Sequence, residues 1–195
     1  MIVVVYHIEL NVIGNNNTAK LIPNYSMKEI LTVSGSSRAQ SSNSQLLEVL
    51  PLLFPEKSFS RYVELSEIPL FQTERDRHPW PIEVIQWRVA IAKADAIIIA
   101  TPAYLFNLPA ILKNALEWLT TSGELLHKPI LAITLTPHPP RGEKAMQSLL
   151  WSLKALEARV VGQLPLYLSE MKMEEGGLEV GEEIQEMLGE AIQLL

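Results

Sequence analysis

The 195-residue chain contains no cysteine. That absence excludes a disulfide scaffold, a thiol nucleophile, an iron–sulfur cluster and a cysteine-ligated zinc site, and it suits a reducing compartment. Charge is also sparse: charged residues make up 19% of the chain against 48% hydrophobic. This leaves ample side chain for one sizeable core and rules out a disordered polymer. No apolar run approaches the roughly 20 residues needed to cross a bilayer, the longest being Met1 to Tyr6 and the stretch around Ile97 to Ala100. The start lacks a basic n-region and a small-residue cleavage site. A cytoplasmic protein with no membrane partner is expected.

Three phosphate or nucleophile signatures are missing too. There is no Gly-x-x-x-x-Gly-Lys-Ser/Thr loop, no Gly-x-Gly-x-x-Gly after the first strand and no Gly-x-Ser-x-Gly elbow. Basic charge is nearly absent from the end of the chain, where eight glutamates follow residue 169 against Lys172 alone. The first 169 residues therefore hold 15 basic and 14 acidic side chains, a net of +1, although the whole chain carries −6. A neutral body does not repel a phosphorylated ligand, yet it lacks the basic stripe of a nucleic-acid binder.

Residues 1–26 stand apart, apolar and then asparagine-rich up to Met27. They read as an extra edge strand or as an N-terminal extension ahead of a start at Met27; the second is our expectation, with residues 27–195 as one domain. From Lys28 onward, short β-rich runs alternate with segments of helical period, the mark of βαβ units around a parallel sheet. Strands are expected at Ile30 to Val33, Ser58 to Leu65, Asp95 to Ala100, Pro129 to Leu135 and from Val160. Helices are expected at Ser42 to Phe54, around Ile82 to Ala92, after Pro109, at Glu143 to Glu157 and from Ile184 to Leu195. This is an α/β chain with a three-layer, doubly wound, parallel five-stranded sheet, a pattern that places ligands beyond the carboxyl ends of the strands.

Two loops at that end carry the chemistry. The first, Ser34 to Asn43, follows a strand and opens a helix, and it gathers small hydroxyl residues around Arg38 where the helix dipole is positive. It reads equally as an anion cradle and as an ordinary capping loop. The second, Thr101 to Pro109, sets Tyr104 and Phe106 on a proline-stiffened backbone, either to meet a planar ring or to plug the sheet end. His78, His127 and His138 are scattered without metal-site spacing. His138 and Arg141 sit in the loop after the fourth strand, where Arg141 has reach to a dinucleotide phosphate. Trp118 and Trp151 read as packing on helices, Trp118 alternatively as a reach to a partner subunit.

Gly35-Ser36-x-Arg38-x-x-Ser41-x-Asn43, then Thr101-Pro102-x-Tyr104 and Pro109-x-x-Leu112-Lys113-Asn114-x-Leu116-x-Trp118, resemble the NAD(P)H-dependent FMN reductase family of flavodoxin-like proteins. The resemblance implies strand order 2-1-3-4-5, bound FMN, NAD(P)H as hydride donor, and a homodimer or a tetramer built from dimers. It also implies that Ser36, Arg38, Ser41 and Asn43 take the phosphate and that Pro102, Ala103, Tyr104 and Leu105, with Thr136, line the flavin. The implied activity is hydride transfer from NAD(P)H to FMN, which then reduces a quinone, an azo compound, a metal oxyanion or free flavin. No side chain is assigned as acid or base, since the cofactor carries the reaction. The chain departs from the family in Pro102-Ala103-Tyr104-Leu105, where Pro-Glu-Tyr-Asn is frequent, and in Thr136-Pro137-His138-Pro139-Pro140-Arg141-Gly142, where a glycine-rich turn is. An electron-carrying flavin module without NAD(P)H activity, or a scaffold that has lost flavin, is the alternative.

Overall fold

The computed structural model describes residues 9–13, 20–24, 27–63, 65–174 and 177–195. Two extended segments, β1 (Glu9–Ile13) and β2 (Lys20–Asn24), pair antiparallel with each other and, among the described residues, with no other strand. Among the described residues the main sheet starts at β3 (Glu29–Ser34), and neither β1 nor β2 pairs with it. From there the elements run α1 (Ser42–Leu53), β4 (Ser58–Tyr62), α2 (Ile82–Lys93), β5 (Ala96–Thr101), α3 (Ala110–Glu117), β6 (Pro129–Thr136), α4 (Glu143–Ala155) and β7 (Arg159–Tyr167). A small antiparallel pair, β8 (Lys172–Glu174) and β9 (Gly177–Glu179), precedes α5 (Glu182–Gln193). All pairings in the main sheet are parallel and the order is β4-β3-β5-β6-β7. Counted from β3, that is 2-1-3-4-5.

Side-chain alternation along the strands builds the two outer layers. Leu31, Val33, Ile97, Ile99, Ile130 and Ala132 face α2, α3 and α4. Ile30, Ile98, Leu131 and Ile133 face α1 and α5. Every residue of β5 is buried, which is why Ala96 to Thr101 reads as an unbroken apolar run rather than an alternating one. Burying each such isoleucine contributes about 1.5–3 kcal/mol.

The long segment between β4 and α2 lies on the same side and is held by buried polar anchors. Asn114 donates to the carbonyls of Ile68 and Pro69 at 3.1 Å and accepts from the Phe71 N–H at 2.7 Å. Trp118 is fully buried and donates to the Pro69 carbonyl at 2.7 Å, so its task is packing and not contact with a partner. Arg88 reaches back from α2 to Asp76 at 2.8 Å, donates to the Trp118 carbonyl and lies over the Trp80 ring.

Two expected boundaries move. The strand from Ser58 ends at Tyr62 instead of Leu65, because the chain turns into a short 3₁₀ segment at Leu65–Glu67. Helix α4 stops at Ala155 rather than Glu157, closed by bonds from Glu157 N–H to Lys154 and from Ala158 N–H to Leu153. Glu157 occupies the left-handed position of this cap at φ 54, where the sequence offers no glycine to announce the stop. Trp151, read as packing, is 67% exposed on that helix.

Because β1 and β2 stay out of the main sheet, a chain beginning at Met27 is expected to express in soluble form. Its melting temperature should match that of the full chain. Thermal unfolding of the two proteins side by side checks this, and an insoluble shortened chain would make the first 26 residues structural.

Candidate functional site

The carboxyl ends of β3, β5 and β6 converge on one cleft. Gly35 leaves β3 with its N–H on the Ala100 carbonyl at 2.8 Å, pressed against β5 and α3. A Cβ there would stand 2.6 Å from the Thr101 hydroxyl and 2.8 Å from Leu112, so only glycine lets the loop start this close to the sheet. Ser41 then caps α1, its Oγ accepting from the Ser44 N–H at 3.1 Å. The Ser41, Ser44 and Ser34 hydroxyls form a chain with 3.0 Å steps. Asn43 donates to the Leu135 carbonyl at 3.1 Å, joining the loop to β6.

These contacts shape a cleft of about 350 Å³. Of the residues expected at the site, Ser36, Arg38, Ser41, Asn43, Pro102, Ala103, Tyr104 and Thr136 all line it. Leu105 does not; it sits at the tip of the second loop, 98% exposed, over a neighbouring cleft. Ser42, Leu135, Pro137 and Leu168 line the cleft without having been singled out, and Arg141 joins them there. Only topology brings Leu168 in, since it follows β7 and carries no local signal of its own.

The lining is suited to an anion. Arg38 and Arg141 both face the cleft and no carboxylate does. The first-turn N–H groups of α1 have no helical acceptor, and Ser41 occupies that of Ser44 alone, leaving those of Ser42 and Asn43 at the positive end of the dipole. Two side-chain oxygens at the site, Asn43 Oδ1 and Thr136 Oγ1, are buried without a protein partner. Buried oxygens of that kind are normally satisfied, so they fit a polar ligand. A second cleft on the far side of the loop holds Arg61, but Glu48 already neutralises that guanidinium.

A doubly wound parallel sheet in the order 2-1-3-4-5, with a cleft at the carboxyl ends of its strands, defines an α/β protein of flavodoxin-like architecture. The NADPH-dependent FMN reductase family matches residues 28–171, and the chain belongs to it. The NADH:(hydroxy)cinnamate reductase subunit CrdA of Vibrio ruber is 36% identical over 104 residues, 53% of this chain and 51% of that protein. The quinone reductase of Escherichia coli is 28% identical over 139 residues, 69% of this chain and 74% of the enzyme. At 33–36% identity the chain spans about half the length of the curated relatives it matches. Among solved structures, the FerB flavoenzyme NAD(P)H:(acceptor) oxidoreductase of Paracoccus denitrificans superposes with TM-score 0.68 at 20% identity, covering 86% of this chain and 95% of that one. That likeness shows the fold.

Proposed function

We propose that this chain is an NAD(P)H oxidoreductase that holds FMN in the 350 Å³ cleft and reduces a quinone-type acceptor. The convergence of the α1 N-terminus, Arg38 and the serine hydroxyls beside the Pro102–Tyr104 turn, with no carboxylate among them, carries the reading. FMN held there would supply the hydride relay between the nicotinamide and the acceptor. The net reaction converts NAD(P)H, one proton and a quinone into NAD(P)⁺ and a hydroquinone.

The residues of the chain bind and orient. Ser36, Arg38 and Ser41, with the first-turn N–H groups, hold the phosphate; Asn43 Oδ1 and Thr136 Oγ1 stand ready for polar hydrogens; Pro102, Ala103 and Tyr104 set the plane of the ring. The buried Thr101 and Leu112 behind Gly35 keep that cradle fixed to the sheet. Holding reactants in stacking geometry is the larger part of such catalysis. A homodimer is part of the proposal, supported by an exposed apolar stripe on α2 formed by Ile82, Ile85 and Val89.

The test is optical. Added FMN should give a yellow complex after gel filtration, and NADPH or NADH should bleach it anaerobically, with colour returning on addition of menadione. A complex that forms but is not bleached makes the chain a flavin carrier; no complex at all overturns the reading.

A further inference from the structure

The turn at residues 104–107 has a form that holding a flavin does not explain. Its central residues are both left-handed, Leu105 at φ 50 and Phe106 at φ 60. Tyr104 and Asn107 exchange both backbone bonds at 2.9 Å, which closes a two-residue hairpin. Asparagine followed by glycine is the usual pair in that geometry, because a Cβ disfavours it. Here two bulky apolar side chains occupy it and face water, Leu105 at 98% and Phe106 at 68% exposure. Apolar groups held out in this way mark a contact surface.

Beneath the tip lies a cleft of about 240 Å³ lined by Ala103, Leu105, Phe106 and Arg141. Ala103 and Arg141 also line the larger cleft, so the two adjoin. Arg141 forms no ion pair and no side-chain hydrogen bond among the described residues. One wall is thus apolar and aromatic, and the other offers an unspent planar cation. Guanidinium groups favour carboxylates and sulfonates in two-point contact.

Resting on the flavin reading above, we propose that this smaller cleft docks the electron acceptor and selects a planar ring bearing an anionic substituent. The ring lies on Leu105 and Phe106, and the anion meets Arg141. The adjoining wall at Ala103 brings the acceptor to the edge of the flavin cleft, where the electrons leave. The turn is then a specificity element rather than a lid.

Two variants test it, with menadione and a naphthoquinone sulfonate as acceptors. Leu105→Asn/Phe106→Gly restores the sequence that the hairpin prefers and removes both apolar side chains. Its KM for both quinones should rise about tenfold, with FMN affinity within about twofold of the parent. In Arg141→Gln the ratio of kcat/KM for the sulfonate over menadione should fall about tenfold, the size of a lost charge-assisted bond. An unchanged ratio, or a loss confined to FMN affinity or to the KM for NADPH, would overturn the assignment of Arg141. Unchanged quinone KM in the turn variant would overturn the docking site. Both failures leave FMN uptake and menadione reduction by the parent intact, whereas a parent chain that takes up no FMN ends the flavin reading and this inference together.

Discussion

Replacing Arg88 by methionine is expected to destabilise the protein by about 3–5 kcal/mol, the cost of stranding a buried charge. Both side chains of the Arg88–Asp76 pair are almost wholly buried, at 7% and 5% exposure. Arg88 also donates to the Trp118 carbonyl at 2.7 and 3.2 Å, so the substitution orphans a backbone acceptor as well as the carboxylate. Burial pushes the Asp76 carboxyl up, but the Thr121 hydroxyl, the Arg88 hydrogen bond and charge, and the Trp80 indole outweigh it and hold the pKa below 3.8. A carboxylate lowered in the folded state contributes stability that is present above its unfolded pKa and lost as pH falls through the folded one. Without Arg88, much of that contribution disappears at neutral pH. The gap between variant and parent should therefore be widest near neutrality and should narrow below about pH 3.8, as Asp76 protonates in the unfolded parent. Urea unfolding at about pH 7 and about pH 3 measures both values. A constant gap would mean that Arg88 acts only through the Trp118 carbonyl. The double variant Asp76→Leu/Arg88→Met should recover the part of the loss that comes from the stranded carboxylate, since an apolar pair replaces a buried ion pair at little cost, while the Trp118 carbonyl still lacks the Arg88 donors.

FMN is expected to bind at least about 100-fold more tightly than riboflavin, which corresponds to two charge-assisted hydrogen bonds of about 1.5 kcal/mol each. The two ligands differ only in the phosphate, so the ratio isolates the loop from Ser36 to Asn43. Arg38 is exposed and forms no ion pair among the described residues, which leaves its guanidinium available to a dianion. Arg38→Ala should therefore lower FMN affinity by about tenfold and leave riboflavin affinity alone. Added salt should reduce the difference, because an accessible pair is screened over about 8 Å at physiological ionic strength. Fluorescence titration of the four combinations gives the result directly. Equal affinities for FMN and riboflavin in the parent would remove this loop from the phosphate site.

The sheet was readable because its strands are uniform. Ala96 to Thr101 and Pro129 to Thr136 are buried over nearly their full length, so periodicity and burial agree and the parallel class follows. The position of the first loop at the cleft was readable too, since Gly35, Arg38 and Ser41 lie within a few residues of a strand end. What escaped was set by contacts distant in sequence or by backbone choices the residues do not advertise. Nothing local indicates that Asp76 meets Arg88 across a long loop, or that Leu168 closes the cleft. Leu105 was expected beside Pro102, Ala103 and Tyr104 in the cleft those three line; a hairpin with two left-handed residues turns it outward, and neither is a glycine or an asparagine. The short pair β8 and β9 has three residues a side, too few for alternation to register.

The serine chain behind the cradle has a consequence for how the empty and filled sites relate. Ser34, Ser44 and Ser41 are joined oxygen to oxygen at 3.0 Å, Ser41 donating to Ser44 and Ser44 to Ser34, and a hydroxyl is able both to give and to receive. Such a row has two directions, with every hydrogen pointing toward β3 or every hydrogen pointing toward the mouth of α1, and the heavy atoms are the same in both. Reversal needs only three small rotations. Under the proposed phosphate role, a dianion at the cradle would select the direction that turns a hydrogen toward it. On that reading the polarity of the loop would switch while its heavy atoms stay where they are, and ligand exchange at this end of the sheet would involve protons turning in place.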